Sequence, residues 1–232
     1  MNDLTIATVN FNTPEYIFAL GHSLHKYNTW YVNDLLVFDN SLTNKIPSKR
    51  FTPNNNATMN VHHVPDVIYT DINKLPESKY PAAGKYNSAR HAKTIMYLME
   101  NIQTKYLLLV DSDIVFTTNF MPVYDYFINS GAVLQGYLRT TYHHPCIAPW
   151  ACWFNLDVIR QNHLKFYDAT RMLYINDIVD YDTGASLYED VHSLGLKCNY
   201  TKDNTFYRHF KGGSVFKDKG LQWLRDNINL WW

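Results

Sequence analysis

Short apolar runs alternate with amphipathic segments through the first half of the chain. Residues 4–9, 35–38 and 61–64 are rich in apolar side chains, and these runs predict three short strands. Thr13 followed by Pro14 predicts the start of a helix that extends to about Lys26, because threonine is a favourable helix cap and proline suits the first turn. The order strand, helix, strand is typical of an α/β protein.

A longer apolar run follows and ends in two acids. Residues 106–110 predict a buried strand, which stops at the sequence Asp111-Ser-Asp113. A helix is expected before this strand, with its cap at Asn87 or Ser88, because apolar side chains then recur at helical spacing. Alternating strands and helices predict a mostly parallel sheet flanked by helices.

The second half contains the same kinds of element in a less regular order. The predicted elements are strands at residues 132–136 and 150–154, and helices at residues 121–129, 156–162 and 221–232, with a further helix that starts after Asp182 and is stopped by Gly195. Residues 66–87 show little periodicity and predict an irregular loop. No repeat or linker-like tract separates these elements, so we expect a single domain over residues 1–232.

The composition favours one globular domain and excludes several classes of protein. The chain has 232 residues, of which 46% are hydrophobic, enough for one substantial core. Lysine and arginine total 21, as do aspartate and glutamate, so no overall charge recruits nucleic acid or an anionic membrane. The sequence has no run of 18 apolar residues, no basic leader segment and three cysteines, which together predict a cytoplasmic protein with reduced thiols and no transmembrane segment.

The two acids that follow the longest apolar strand carry the strongest chemical signal. Ligands of open α/β sheets bind at the carboxyl ends of the strands, where Asp111 and Asp113 are expected. Neighbouring carboxylates repel each other unless water or a cation separates their charges, and their oxygens suit Mg²⁺ or Mn²⁺ carrying phosphate oxygens. Two turn acids are the alternative interpretation, but the buried strand before them favours metal and phosphate binding.

Four segments of the first half occur in a recognisable order: residues 5–10, residues 36–41, residues 84–91 and residues 107–113. Together they resemble the nucleotide-sugar half of GT-A-fold glycosyltransferases, especially the family-2-like group. The resemblance implies a nucleotide-sugar-binding half at 1–115 and an acceptor and catalytic half at 116–232. It also implies a divalent cation, Mn²⁺ or Mg²⁺, that bridges the two phosphates of a donor, expected to be a UDP-sugar.

The same resemblance assigns roles to individual residues of these segments. The implied donor-nucleotide contacts are Thr8, Asn10, Asp39, Arg90 with its neighbour His91, Asp111 and Ser112. Asp113 is the first metal ligand implied, and Asp111 contacts the ribose or the metal. Other interpretations remain open for two of these positions, because Asp39 also suits a turn and Arg90 also suits a solvated helix face.

The second half supplies the remaining candidates. His209 lies in an aromatic and glycine-rich segment that resembles the place of a metal-binding histidine in the family, although it could instead pack among the aromatic residues. Asp182 resembles the acid that takes the acceptor's proton in an inverting transfer, and a plain helix cap is its alternative. Trp150 and Trp153 are implied acceptor contacts, with core packing as their alternative.

Other functions fit parts of the pattern. A non-catalytic carbohydrate- or partner-binding protein could keep the fold, and a sugar nucleotidyltransferase shares a similar sheet but begins with a glycine-rich phosphate loop, which residues 10–14 lack. A phosphohydrolase with paired aspartates needs the pair on its first strand and a threonine where Val115 stands. The sequence leaves open the oligomeric state and the acceptor, which could be a glycan, a protein or a nucleic acid.

Overall fold

The strands of the central sheet come from both halves of the chain. A computed structural model describes residues 3–41, 45–47, 50–52, 57–70, 85–140, 144–166, 168, 183–210, 222 and 226. The strands are β1 (Leu4–Asn10), β2 (Leu35–Asp39), β3 (Arg50–Phe51), β4 (Met59–His63), β5 (Tyr106–Asp111), β6 (Ile114–Phe116), β7 (Leu134–Gly136), β8 (Leu138–Arg139), β9 (Cys146–Ile147), β10 (Ala151–Asn155), β11 (Cys198–Tyr200) and β12 (Tyr207–His209).

Helices connect these strands. They are α1 (Pro14–Tyr27), α2 (Lys85–Asn101), α3 (Met121–Ser130), α4 (Leu156–Gln161) and α5 (Ala185–Ser193), together with a 3₁₀ helix at Asp66–Tyr69. Within the described ranges, no helix is both long enough and apolar enough to cross a membrane.

The central sheet of the described chain has eight strands in the order β11-β7-β10-β5-β1-β2-β4-β3. Six of the eight run in the same direction, and β3 and β10 run against them. The prediction of a mostly parallel sheet flanked by helices is therefore confirmed. Two small antiparallel pairs, β12 with β6 and β8 with β9, lie outside this sheet.

The two faces of the sheet bury alternate residues of β5. Leu107 and Leu109 belong to a core packed against α2 and α5, whereas Leu108 and Val110 belong to a core packed against α1 and α3. All four side chains are at most 1% exposed. A strand that is covered on both faces reads as a continuous apolar run, which is why the sequence identified β5.

Most of the predicted elements are present, with shifts at their ends. The helix before β5 begins at Lys85 rather than at the predicted cap near Asn87, and the predicted irregular loop contains the 3₁₀ helix. Gly195 has a φ of +64°, in the left-handed region that glycine adopts without strain, and follows α5 as predicted. The predicted helix at 221–232 lies almost entirely outside the described residues. The division into two functional halves stays a prediction.

The cysteines behave as structural thiols. Cys146 and Cys152 are buried and Cys198 is half-buried. Burial raises the pKa of Cys152 well above its ordinary value and that of Cys198 to about 11. Thiols with raised pKa values are poor nucleophiles at neutral pH, so neither Cys152 nor Cys198 suits nucleophilic catalysis.

Candidate active site

The carboxyl ends of three neighbouring strands meet at one edge of the sheet. The parallel register places Asn10 of β1 beside Asp39 of β2, and Val9 of β1 beside Asp111 of β5. Polar side chains that lie far apart in sequence are therefore gathered where open α/β sheets bind their ligands. Every predicted residue of the first half either lies at this edge or flanks it.

Asp111, Asp113 and His209 form a cluster at this edge. One potential ligand atom from each residue lies within 4.8 Å of the other two. The His209 Nε2 atom is 3.1 Å from Asp113 Oδ1 and 3.8 Å from Asp111 Oδ2. The side chains of Asp113 and His209 are only 8% and 7% exposed, whereas that of Asp111 is 23% exposed. The cluster is thus buried on one side and reaches solvent through Asp111.

The short strand β12 places His209 beside the two aspartates. In the pairing of β12 with β6, His209 lies opposite Ile114, directly after the Asp113 position. The Phe210 N–H donates to the Asp113 carbonyl at 3.0 Å, and the His209 N–H donates to Asn204 Oδ1 at 3.2 Å. These backbone contacts fix β12 beside the acids. The sequence pattern did not predict either strand, because each has only three residues.

The charges of the cluster favour a cationic partner for the carboxylates. Burial alone would lower the pKa of His209, but the hydrogen bond and charge of Asp113, with the charges of Asp111 and Asp203, outweigh it and the pKa is raised. Two carboxylates and an imidazole also form the mixed oxygen and nitrogen donor set that Mn²⁺ accepts. The donor set of Asp111, Asp113 and His209 therefore fits a divalent cation.

In the absence of metal, protonated His209 is expected to stabilise the folded protein. Because the folded pKa is raised above the ordinary 6.5, this stabilisation is complete below pH 6.5 and is lost as the pH rises through the raised pKa. The Tm measured in EDTA should fall over that interval, and His209→Asn should flatten this part of the profile. Identical profiles for the two proteins would contradict the assignment.

Asp39 and Asn10 join the ends of β1 and β2. Asp39 Oδ1 accepts hydrogen bonds from Asn10 Nδ2 at 3.0 Å and from the Ser41 N–H at 3.1 Å, and Asp39 Oδ2 accepts from the Ile46 N–H at 2.8 Å. Asn10 Oδ1 in turn accepts from the N–H and the hydroxyl of Thr13, at 3.2 and 3.1 Å. Both side chains therefore organise the loops around the edge, and their predicted donor contacts stay predictions.

Replacing Asp39 with alanine is expected to lower the free energy of unfolding by about 3 kcal/mol, because two buried N–H groups and one amide lose their acceptor. Urea unfolding of the purified protein measures this change. Arg50→Ala is the control, since it breaks an exposed ion pair with Asp34 and should leave the free energy of unfolding close to the wild-type value. Equal losses for the two variants would contradict the structural role of Asp39.

Ser112 and Thr8 lie at the same edge. The Ser112 hydroxyl is 3.2 Å from the Thr13 hydroxyl, so the residue between the two acids is tied to the start of α1. Thr13 was expected to cap α1, but its side chain makes no capping hydrogen bond and instead contacts Asn10 and Ser112. Thr8 is fully buried, and its hydroxyl has no hydrogen-bond partner among the described residues.

Arg90 and His91 turn toward different neighbours. The Arg90 guanidinium lies 3.8 Å above the Tyr69 ring and 3.6 Å from an Asp66 carboxylate oxygen, beside the edge rather than on the acid cluster. His91 Nε2 is 3.9 Å from Asp111 Oδ1, and its side chain is 30% exposed. Of this pair, His91 is the residue nearer to the acids. The predicted donor contact of Arg90 stays a prediction.

The two predicted acceptor contacts have different surroundings. Trp153 is 0% exposed and packs against Phe120, Tyr124 and Phe206, which agrees with the core-packing alternative and gives no support to an acceptor contact. The position of Trp153 in β10 turns its ring into the core on the α1 and α3 face.

Trp150, just before that strand, is partly exposed and stacks on His209. Sequence alone could not distinguish these two tryptophans.

Asp182, the predicted general base, lies outside the described residues. The described residues that follow Asp182 are Thr183 and Gly184, then α5 from Ala185 onward. The α5 helix supports the prediction that Asp182 precedes a helix, while the role of Asp182 stays a prediction.

No protein-family model and no curated protein matches this sequence. Solved structures do match its fold. Mouse xyloside xylosyltransferase 1 in its apo form aligns with a TM-score of 0.52 at 12% identity, over 86% of this chain and 85% of its own. The galactosyltransferase LgtC in complex with donor and acceptor sugar analogues aligns with a TM-score of 0.54 at 12% identity, over 85% and 73% of the two chains.

A third match comes from Aspergillus fumigatus. Its core-mannan synthase A, in an Mn/GDP form, aligns with a TM-score of 0.54 at 12% identity, over 90% of this chain and 74% of its own. The fold is the GT-A fold of glycosyltransferases. Identities this low establish the GT-A fold alone, so the activity has to be argued from the residues at the edge of the sheet.

Proposed function

We propose that this protein is a metal-dependent glycosyltransferase that moves a sugar from a nucleoside-diphosphate sugar to an acceptor. The observation that carries the proposal is the Asp111, Asp113 and His209 cluster at the carboxyl edge of a GT-A sheet. A buried carboxylate is costly without a cationic partner, so the burial of Asp113 beside Asp111 supports a cation-binding role. The structural neighbours are sugar transferases, and two of them are described with Mn²⁺ or Mn and with GDP or GDP-mannose.

The residues of the cluster would have different roles in binding the metal and the donor. Asp113 and His209 are the more buried ligands, and Asp111 lies nearer solvent, where the donor's ribose or diphosphate would arrive. A bound Mn²⁺ or Mg²⁺ would supply positive charge to stabilise the departing nucleoside diphosphate. His91, beside Asp111, would add a hydrogen-bond donor at the exposed side of the cluster.

The chain's own acid would complete the reaction. In an inverting transfer a carboxylate removes the proton of the attacking hydroxyl, and Asp182 is our candidate for that role because it precedes α5 in the chain, where the resemblance to family-2-like glycosyltransferases implies the base. The expected donor is a UDP-sugar from the sequence resemblance, and the GDP-bound neighbours add GDP-sugars as candidates. The acceptor would be a glycan, a protein or a nucleic acid.

The proposal is tested with a panel of UDP- and GDP-sugars incubated with Mn²⁺, Mg²⁺ or EDTA. We expect release of the nucleoside diphosphate from at least one donor with metal and loss of this release in EDTA. Isothermal titration of each donor in the presence of Mn²⁺ gives the binding that accompanies turnover. Metal-dependent binding without any turnover would favour a non-catalytic carbohydrate-binding protein, and release of inorganic pyrophosphate from a sugar phosphate and nucleoside triphosphate would favour a nucleotidyltransferase.

A further inference from the structure

One tryptophan contacts both sides of the acid and histidine cluster. The Trp150 carbonyl accepts a hydrogen bond from the Asp111 N–H at 3.0 Å. The Trp150 ring stacks on the His209 imidazole, with ring centroids 5.1 Å apart and planes inclined by 29°. The backbone of Trp150 thus holds one acid while its side chain contacts the histidine.

Within the part of the chain that the structure describes, the second ring nitrogen of His209, Nδ1, lacks the hydrogen bond that would help to fix the ring. Histidines that bind metals usually donate their second ring N–H to an acceptor, which fixes the plane of the ring. The Nδ1 atom of His209 is buried and has no hydrogen-bond partner among the described residues. The Trp150 face therefore supplies, by contact, the restraint on ring rotation that a hydrogen bond supplies elsewhere.

Trp150 is itself held by several groups. Its indole N–H donates to the Tyr207 hydroxyl at 3.1 Å and lies 3.3 Å from Asp203 Oδ1, and the Tyr207 hydroxyl donates to the same Asp203 oxygen at 2.8 Å. The Tyr137 ring stacks on Trp150 at 5.9 Å, and the Arg139 guanidinium lies 5.3 Å from the centre of that ring. Because these contacts fix the Trp150 ring, it can restrict the rotation of the His209 ring that stacks on it.

We infer that Trp150 is a positioning residue that holds the His209 ring in the orientation that directs Nε2 toward the metal site. This role differs from the acceptor contact that the sequence resemblance implies for Trp150, which stays a prediction. The inference rests on the proposed function, because it assumes that the cluster binds a divalent cation. It assigns Asp203 and Tyr207 the task of anchoring the indole.

Trp150→Leu tests the inference, because leucine fills part of the space but has no aromatic face. We expect the Kd for Mn²⁺, measured by electron paramagnetic resonance of the free ion, to rise about tenfold or more. Trp30→Leu is the matched control, since Trp30 packs on Phe120 away from the cluster and donates its N–H to Asn119. The control should keep the wild-type Kd for Mn²⁺.

Two further measurements separate positioning from an acceptor contact. Trp150→Leu should have a lower kcat than the wild-type protein at limiting Mn²⁺, and a higher concentration of Mn²⁺ should restore much of it. The KM for acceptor should stay near the wild-type value. A raised acceptor KM with an unchanged Kd for Mn²⁺ would overturn the inference. If the protein binds Mn²⁺ but transfers no sugar, the proposed function fails while the effect of Trp150 on Mn²⁺ affinity still decides the inference.

A test that requires no stable leucine variant uses nuclear magnetic resonance of the wild-type protein without metal. Stacking on an indole shifts the His209 ring protons upfield relative to the other histidines. Trp150→Phe, which keeps an aromatic face, should retain part of this shift and bind Mn²⁺ within about threefold of the wild-type Kd. The absence of an upfield shift in the wild-type protein would overturn the inference.

Discussion

Replacing Asp113 with asparagine is expected to abolish metal-dependent sugar transfer, with a loss of at least about 1,000-fold in rate. Asp113 is the acid closest to His209, and its side chain is almost fully buried. The amide keeps the shape of the carboxylate but removes its charge, so the cation loses a principal ligand. A bound metal contributes several kcal/mol to stabilising the transition state, and about 1.4 kcal/mol corresponds to each tenfold change in rate.

The variant is compared with Asp125→Asn, which makes the same substitution at an exposed position of α3. Initial rates at saturating donor and an Mn²⁺ titration should show a large loss of both activity and affinity for Asp113→Asn and neither for Asp125→Asn. Circular dichroism confirms that both proteins are folded. An Asp113→Asn protein with wild-type Mn²⁺ affinity would show that the cluster is not the metal site.

Replacing Asp182 with asparagine is expected to reduce transfer by about 100- to 10,000-fold, which is the usual contribution of a general base. Donor affinity should change little, because the proposed role of Asp182 is to remove the acceptor's proton rather than to bind the donor. The measurements are the kcat for transfer and the Kd of the donor with Mn²⁺. A loss confined to kcat would locate the defect in the chemical step.

Asp190→Asn serves as the control for this variant, since Asp190 belongs to the acidic doublet Glu189-Asp190 of α5 and lies later in the chain than Asp182. It should keep nearly normal transfer. Full activity of Asp182→Asn would show that another acid is the base or would favour a reaction that retains the anomeric configuration. A large loss in Asp190→Asn instead would identify the doublet as the functional acid.

The sequence predicted the first half of the fold because its signals are local. The β1, β2 and β5 strands are buried apolar runs, and α1 begins at a proline. Each signal depends only on residues adjacent in the chain. By contrast, β6 and β12 have three residues each, and their pairing depends on contacts between Ile114 and His209 rather than on periodicity.

The candidate site was predicted as a set of residues but not as a geometry. Asp111 and Asp113 could be located because they end a recognisable strand. The sequence could not show that Asp39 directs its carboxylate into backbone N–H groups, because those contacts depend on how the following loop folds. It also could not show that Trp153 is buried while Trp150 lies beside the cluster, since both follow the same histidine- and proline-rich segment.

The acid and histidine cluster forms only when β12 pairs with β6, and this pairing closes a long loop of the chain. Ile114 and His209 are 95 positions apart (209 − 114), so bringing them together costs chain entropy that no local contact offsets. A cation that binds only when both ends are in place would lower the free energy of the closed state by an amount that grows with the logarithm of its concentration relative to its Kd. The separation of β12 from β6, and the resulting exposure of β12 to proteases or to hydrogen exchange, would then depend on the concentration of metal as well as on the sequence.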